Sequence, residues 1–312
     1  HRRCHFCNHR ILVHSSNSPI RYPGKGGTIS VSIHRQKMSI PMRILRIIIV
    51  LILVEMVVTV VYPLLWMVLG GFKTTTELLT RPFSLPAKWM FSNYTHIWKS
   101  GIQTYFLNSL FITVCSSALV AVISAFAAFA LSRYRFKCRY FVFIYLIGGM
   151  MLAPQVSLIS NYKILQGLGL YDTRFGLICA YTAFRIPYTT FLMWSYFSTL
   201  PKDMEEAATI DGCSSFQIFL RILLPLSKPI LSTGILLTIR YVWNDFLFSM
   251  VFTQSAKLRT IPYGLNALKS ETGTEWSLLL AGMVLSAIPL IVLFLFTQKS
   301  FVRGLTGGAV KE

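Results

Sequence analysis

The sequence predicts an all-α polytopic membrane protein with six transmembrane helices and both termini on the cytoplasmic side. Three observations carry this reading. Of 312 residues, 54% are hydrophobic and only 13% are charged, about half the charged fraction usual for a soluble domain. The apolar residues gather in runs long enough to cross about 30 Å of hydrocarbon at about 1.5 Å per residue. The basic excess, 30 Lys and Arg against 11 Asp and Glu for a formal net charge of +19, collects between those runs.

Taken in order, residues 1–37 are basic and polar, with Arg2, Arg3, Arg10, Arg21, Lys25, Arg35 and Lys37 and no acid. They read as a disordered tail or as sequence translated upstream of the true start, with Met38 or Met42 a natural start before the first apolar run. Cys4, His5, Cys7 and His9 resemble a fragment of a zinc site, but no second Cys or His pair follows at a suitable spacing, so no metal site is expected. Residues 38–312 read as one transmembrane domain with spans at about 45–70, 105–131, 139–160, 174–198, 230–252 and 277–298. Pro63, Pro154, Pro187, Pro289 and Gly148-Gly149 interrupt them, as membrane helices tolerate. Ser117, Ala121 and Ala125 recur every four residues, a spacing that suits close helix–helix approach.

Loop charge gives the orientation. Arg133, Arg135, Lys137 and Arg139 crowd one short loop, Arg43 and Arg46 precede the first span, and Lys299, Arg303 and Lys311 follow the last. By the positive-inside rule these segments are cytoplasmic. Segment 199–229 then lies inside, and 71–104, 161–173 and 253–276 lie outside. Alternation of basic loops with apolar spans also argues against nucleic-acid binding, which needs a basic stripe on a soluble face.

Segment 199–229 reads as helix, turn, helix. Pro201 suits a helix start, and Asp203, Glu205 and Glu206 sit where the helix dipole favours acids. Asp211-Gly212 ends the helix, Gly supplying a left-handed residue. Ser214 or Ser215 can cap the next helix, which carries Phe216, Phe219 and Leu220 and stops near Pro225.

Glu206-Ala207-Ala208, Gly212 and Ile222-x-Leu224-Pro225 at these spacings resemble the EAA loop of permease subunits in bacterial binding-protein-dependent ABC importers. Asn108-Ser109-Leu110, Gly167-Leu168-Gly169-Leu170, Trp243-Asn244-Asp245-Phe246 and the C-terminal Gly304-Leu305-Thr306-x-Gly308-Ala309-Val310-Lys311 look like the carbohydrate branch, which includes the second permease of maltose-type systems. The resemblance covers about residues 42–312. It implies a bacterial plasma-membrane subunit that pairs with a second permease, as a heterodimer. Two cytoplasmic ABC ATPase subunits and an extracytoplasmic solute-binding protein would complete the system. It also implies that Glu206, Ala207, Ala208, Asp211, Gly212, Ile222, Leu224 and Pro225 form the coupling helix that meets the ATPase. ATP and Mg would bind that partner, with no cofactor in this chain. The same loop serves permeases for polyamines, amino acids or phosphate; the residues around Trp243 favour sugar.

No P-loop spacing, HExxH or nucleophile elbow is visible, so the chain reads as non-catalytic. A membrane enzyme or channel would need a catalytic cluster or a pore ring, and neither stands out. Glu55, Arg185 and Arg240 lie within expected spans, where an ionisable group usually faces a cavity or a partner. Arg240, Trp243, Asn244 and Asp245 are the candidate substrate-pathway residues, because aromatic faces and polar tips together suit a sugar. Consecutive helical residues point in different directions, so at most two of the four consecutive residues 243–246 can face one cavity.

Overall fold

The computed structural model describes residues 40–271 and 275–306. The expectations for residues 1–37, including Cys4, His5, Cys7 and His9, and for Gly308 to Lys311 lie outside the described residues. The chain divides into two units, 1–60 and 61–312. Among the described residues every regular element is helical.

α1 (Ile40–Gly71) begins in the first unit and ends in the second. Its residues 44–60 are Val, Ile, Leu and Met almost throughout, interrupted by Arg46, Glu55 and Thr59, and all are exposed. A helix that is apolar on every side suits lipid contact.

In the second unit, Lys73 is fully buried just after α1. Its ammonium donates to the Arg81 carbonyl at 2.9 Å, the Pro82 carbonyl at 3.3 Å and Ser84 Oγ at 3.3 Å. These bonds satisfy the charge and fold the segment around α2 (Thr75–Thr80) back on itself. α3 (Ser92–Ile97) turns through the π-helical residues Trp98–Ile102 into the long α4 (Gln103–Arg133).

The expected span 139–160 contains two helices rather than one. α5 (Arg139–Met151) and α6 (Pro154–Gly167) are bent by 107°. The cause is local: Ala153 precedes a proline, which disfavours helical backbone, and it sits extended at φ −66° and ψ 139°. α7 (Arg174–Thr199) follows, capped by the Thr173 hydroxyl, with Pro187 inside it.

The loop over 199–229 forms α8 (Asp203–Ile210), α9 (Ser215–Ile218), a π turn at Phe219–Leu223 and α10 (Leu224–Leu226). Pro201 lies two residues ahead of α8 rather than in it, and the second helix passes through Pro225 because the π turn absorbs the ring. α11 (Lys228–Asn244) breaks at Asp245 and Phe246, so the expected span 230–252 is also divided, with α12 (Leu247–Phe252) beyond the break. α13 (Ile261–Glu271) and α14 (Trp276–Thr306) complete the chain.

Among the described residues three helices are long and apolar enough to cross a membrane: Ile44–Gly71, Ser92–Arg133 and Trp276–Gln298. Two bent pairs, Arg139–Met151 with Pro154–Gly167 and Ser215–Leu226 with Lys228–Asn244, reach that standard together, which gives five if each pair is one span. α7 is 26 residues long but more polar, and its buried face carries Thr182, Thr189 and Thr190. It packs most extensively on α4, whose buried face is rich in Ser109, Ser116, Ser117, Ser124, Ala125 and Ala128. Small side chains let the two backbones approach, as in membrane bundles generally. Near one end of this pair Ile112, Leu177, Tyr181, Phe248 and Phe252 form a core; near the other, Ala128, Phe129, Met193, Phe197 and Phe219 do.

Asn108 and Ser109 have a visible task. Asn108 Nδ2 donates to the carbonyls of Lys257 at 2.7 Å and Arg259 at 3.1 Å, and Ser109 Oγ accepts from the Ile261 N–H at 2.9 Å. They tie α4 to the loop before α13, and Gly264 completes the contact, since a Cβ there would meet the Tyr105 ring at 2.1 Å.

Candidate functional site

The 199–229 hairpin is built from local signals. The N–H groups of Glu205 and Glu206 bond the Lys202 carbonyl at 2.8 and 3.0 Å, and acids fill the first turn of α8. Gly212 takes φ +81° and terminates α8. Its N–H bonds the Thr209 carbonyl at 3.0 Å and the Cys213 N–H bonds the Ala208 carbonyl at 3.0 Å, the paired closure of a Schellman turn. Ser214 then caps α9 reciprocally: its hydroxyl accepts from Gln217 N–H at 3.3 Å, and Gln217 Oε1 accepts from Ser214 N–H at 2.8 Å.

One ion pair fixes the hairpin to the helices beneath it. Arg133 Nη2 lies 2.6 Å from Glu205 Oε1, with the two side chains 9% and 16% exposed. Arg133 closes α4 and Glu205 opens α8, so each charge also complements its own helix dipole. Along α8, Glu205 and Ala208 face inward, three residues apart. Glu206 and Ile210, four apart, face outward with Ala207, and Ile210 is 87% exposed.

A cleft of about 600 Å³ opens between α7 and α11. Arg185, Tyr188, Arg240, Tyr241, Asn244 and Asp245 are among its lining residues. Arg240 and Asn244 share a face of α11, and the Asn244 amide donates to the Arg240 carbonyl at 2.8 Å. The helix stops at Asn244, and Asp245 is extended at φ −72° and ψ 131°, which brings it back to the same cleft. Its carboxylate accepts from the Tyr181 hydroxyl at 3.0 Å and from the Phe248 N–H at 2.8 Å. The guanidinium of Arg185 lies 4.8 Å from the Tyr188 ring centre and 5.1 Å from that of Tyr241.

Residues 28–307 match the family of inner membrane components of binding-protein-dependent transport systems. The chain belongs to this family. As a permease subunit it is a membrane component of the system and not its enzyme. The probable ABC transporter permease protein YurM of Bacillus subtilis (strain 168) is 46% identical over 254 residues, 81% of this chain and 85% of the relative. The arabinooligosaccharides transport system permease protein AraQ of the same organism is 34% identical, over 80% of this chain and 90% of its own. The trehalose/maltose transport system permease protein MalG of Thermococcus litoralis is also 34% identical, over 85% and 97%. Among solved structures, a bacterial ABC transporter involved in the import of the acidic polysaccharide alginate superposes with a TM-score of 0.76 at 25% identity, over 85% of this permease and 99% of that chain.

The permease divides the expected coupling residues into two sets. Glu206, Ala207, Asp211, Gly212 and Pro225 are exposed. Ala208, Ile222 and Leu224, expected with them as partner contacts, instead pack into this chain's own core with Phe129, Met193 and Phe219. Ala208 lies three positions from the inward-facing Glu205, and Ile222 and Leu224 flank the buried Leu223. Of the expected pathway residues, Arg240, Asn244 and Asp245 line the cleft and Trp243 does not. Trp243 is buried, edge-on to Phe106 at 5.6 Å between ring centres, and its indole N–H donates to the Ser286 carbonyl at 3.0 Å. A buried indole needs such an acceptor, and α14 supplies it. The Arg133–Glu205 pair and the tyrosines around Arg185 escape sequence reasoning. The available signal for the second was an arginine inside an apolar run, with a tyrosine three residues on.

Proposed function

We propose that this permease is one of two membrane subunits of an ATP-driven importer that moves a sugar or oligosaccharide into the bacterial cytoplasm. The observation that carries this is the likeness, over at least four-fifths of the chain, to permeases named for arabinooligosaccharides and for trehalose and maltose. The likeness to the alginate importer supports the same class.

In this reading six spans cross the membrane with both termini inside, formed by α1, α4, the α5–α6 pair, α7, α11 with α12, and α14. The basic cluster Arg133, Arg135, Lys137 and Arg139 supports that orientation. The hairpin then lies on the cytoplasmic side. Its exposed Glu206, Ala207, Asp211, Gly212 and Pro225 meet a groove on a cytoplasmic ABC ATPase, while Ala208, Ile222 and Leu224 seat the hairpin on its own core. The ATPase pair binds ATP and Mg, and this chain holds no cofactor. A second, different permease completes the pathway, and an extracytoplasmic binding protein delivers the solute. ATP binding favours one access state over the other by preferring the matching position of the hairpins. The cleft with Arg240, Asn244 and Asp245 lies on the solute's route.

Uptake by vesicles carrying the assembled importer, supplied with its binding protein and ATP, tests the reading. Accumulation of labelled oligosaccharide only when ATP is present is the expected result. Accumulation of a polyamine, an amino acid or phosphate, and of no sugar, would overturn it.

A further inference from the structure

The α7–α11 cleft contains a charge without a counter-charge. Arg185 is the twelfth residue of a 26-residue helix, about 16 Å from one helix end and about 21 Å from the other. A guanidinium so far from either end cannot reach an interface by stretching its side chain. Its Nε is buried with no hydrogen-bond partner. Among the described residues neither Arg185 nor Arg240 has an acid at ion-pair distance. Asp245, the acid of the cleft, is already held by Tyr181 and the Phe248 N–H. Two bases and one committed acid leave the cleft electropositive.

The surroundings define what could neutralise it. Tyr188 and Tyr241 flank Arg185 on two ring faces, and Tyr241 stacks in turn on Phe184 at 5.2 Å. Aromatic faces fix the plane of the guanidinium, and a fixed guanidinium presents parallel N–H donors that match a carboxylate. Phenol rings and the Asn244 amide beside it suit the apolar faces and hydroxyls of a pyranose.

We infer that this cleft binds a sugar bearing a carboxylate, with Arg185 as the residue that selects for the acid group and Arg240 adding to the field. The inference rests on the sugar reading above and narrows it to uronate-type or otherwise acidic sugars.

Vesicles containing the whole importer, with its binding protein in excess, decide the matter. Uptake is compared for disaccharides that end in a uronate and for their neutral counterparts, in the native importer and in Arg185→Gln, Arg185→Lys and Arg240→Gln. The native importer should accumulate uronate-terminated sugar. Arg185→Gln should lower that uptake at least tenfold, Arg185→Lys should restore part of it, and Arg240→Gln should lower it less. Co-purification of the partner permease and ATPase should be the same for every variant. Exclusive uptake of neutral sugars by the native importer would overturn the inference and leave the sugar reading standing. Uronate uptake unchanged in Arg185→Gln would also overturn it. So would loss of the partner permease from the Arg185→Gln complex, because Arg185 would then be paired with an acid of that subunit. If no sugar of either kind is taken up, the sugar reading itself fails, and the inference with it.

Discussion

At the scale of single residues, neighbouring acids do different work. Glu205 and Glu206 are adjacent, carry the same group and share the first turn of α8. Helix geometry turns one toward Arg133 and leaves the other outside. Removing one partner of a mostly buried pair strands the other charge, which commonly costs about 3 kcal/mol. Glu205→Gln should therefore loosen the hairpin within this chain, seen as faster proteolysis between residues 200 and 226 in the purified permease. Glu206→Gln should leave proteolysis unchanged and weaken retention of the ATPase on the membrane complex. Equal proteolysis of the two variants would contradict the assignment. Arg133 and Glu205 stand 72 positions apart, so the pair was not legible in the sequence. The capping partner Ser214 and the turn residue Gly212 were legible, because each acts on backbone within a few residues of itself. Arg185 was visible as a charge out of place, but the tyrosine faces around it come from two helices that only the fold brings together.

At the scale of elements, breaks and clasps decide where the helices lie. The apolar pattern continues across Ala153-Pro154 and across Asp245-Phe246, so hydropathy alone reads each as one span. The break appears only where backbone chemistry intervenes: a proline after Ala153, and a carboxylate that caps the next helix from Asp245. A second carboxylate clasps two connecting segments. Asp172, in the turn after α6, takes the left-handed conformation at φ 55°. Its side chain accepts from the Gln254 N–H at 2.8 Å, the Ser255 N–H at 3.0 Å and the Ser255 hydroxyl. Burial pushes this carboxyl up, but the bonds from Ser255 and Gln254 outweigh it and hold it below the usual carboxylate value. The sign follows from linkage. The clasp stabilises the fold fully above the unfolded carboxylate value of about 3.9 and is lost as pH falls through the lower folded value. Asn tolerates the same backbone conformation, so Asp172→Asn isolates the charge. Thermal unfolding in detergent should show the variant less stable near neutrality, with the gap to the native protein closing on acidification through that window. A gap that stays constant with pH would exclude the carboxylate as its cause.

At the scale of the whole molecule, the proposed function divides the parts into a sheltered pathway and an exposed lever. The helical content and the membrane character were legible in composition and apolar runs, since lipid leaves a chain few structures that satisfy its own backbone. α7 was legible as well, its bounds Arg174–Thr199 matching the expected span 174–198, although its threonines and Arg185 dilute its hydropathy. The lever is the hairpin, seated on the α4–α7 core through Ala208, Phe219 and Leu223, and its sharpest point is Gly212. A Cβ at Gly212 would meet nothing within 4 Å, so substitution there strains the backbone without crowding the core, by about 1–2 kcal/mol for a residue forced into the left-handed region. The fold should survive such a change while the outward turn is reshaped. The most direct test of ATP-driven import through this hairpin is therefore sugar uptake by the fully assembled Gly212→Val importer, measured with ATP hydrolysis in the same vesicles. The account predicts a complex of normal composition in which sugar uptake falls at least tenfold and no longer tracks ATP hydrolysis. Normal uptake at a normal ratio to ATP hydrolysis would contradict it.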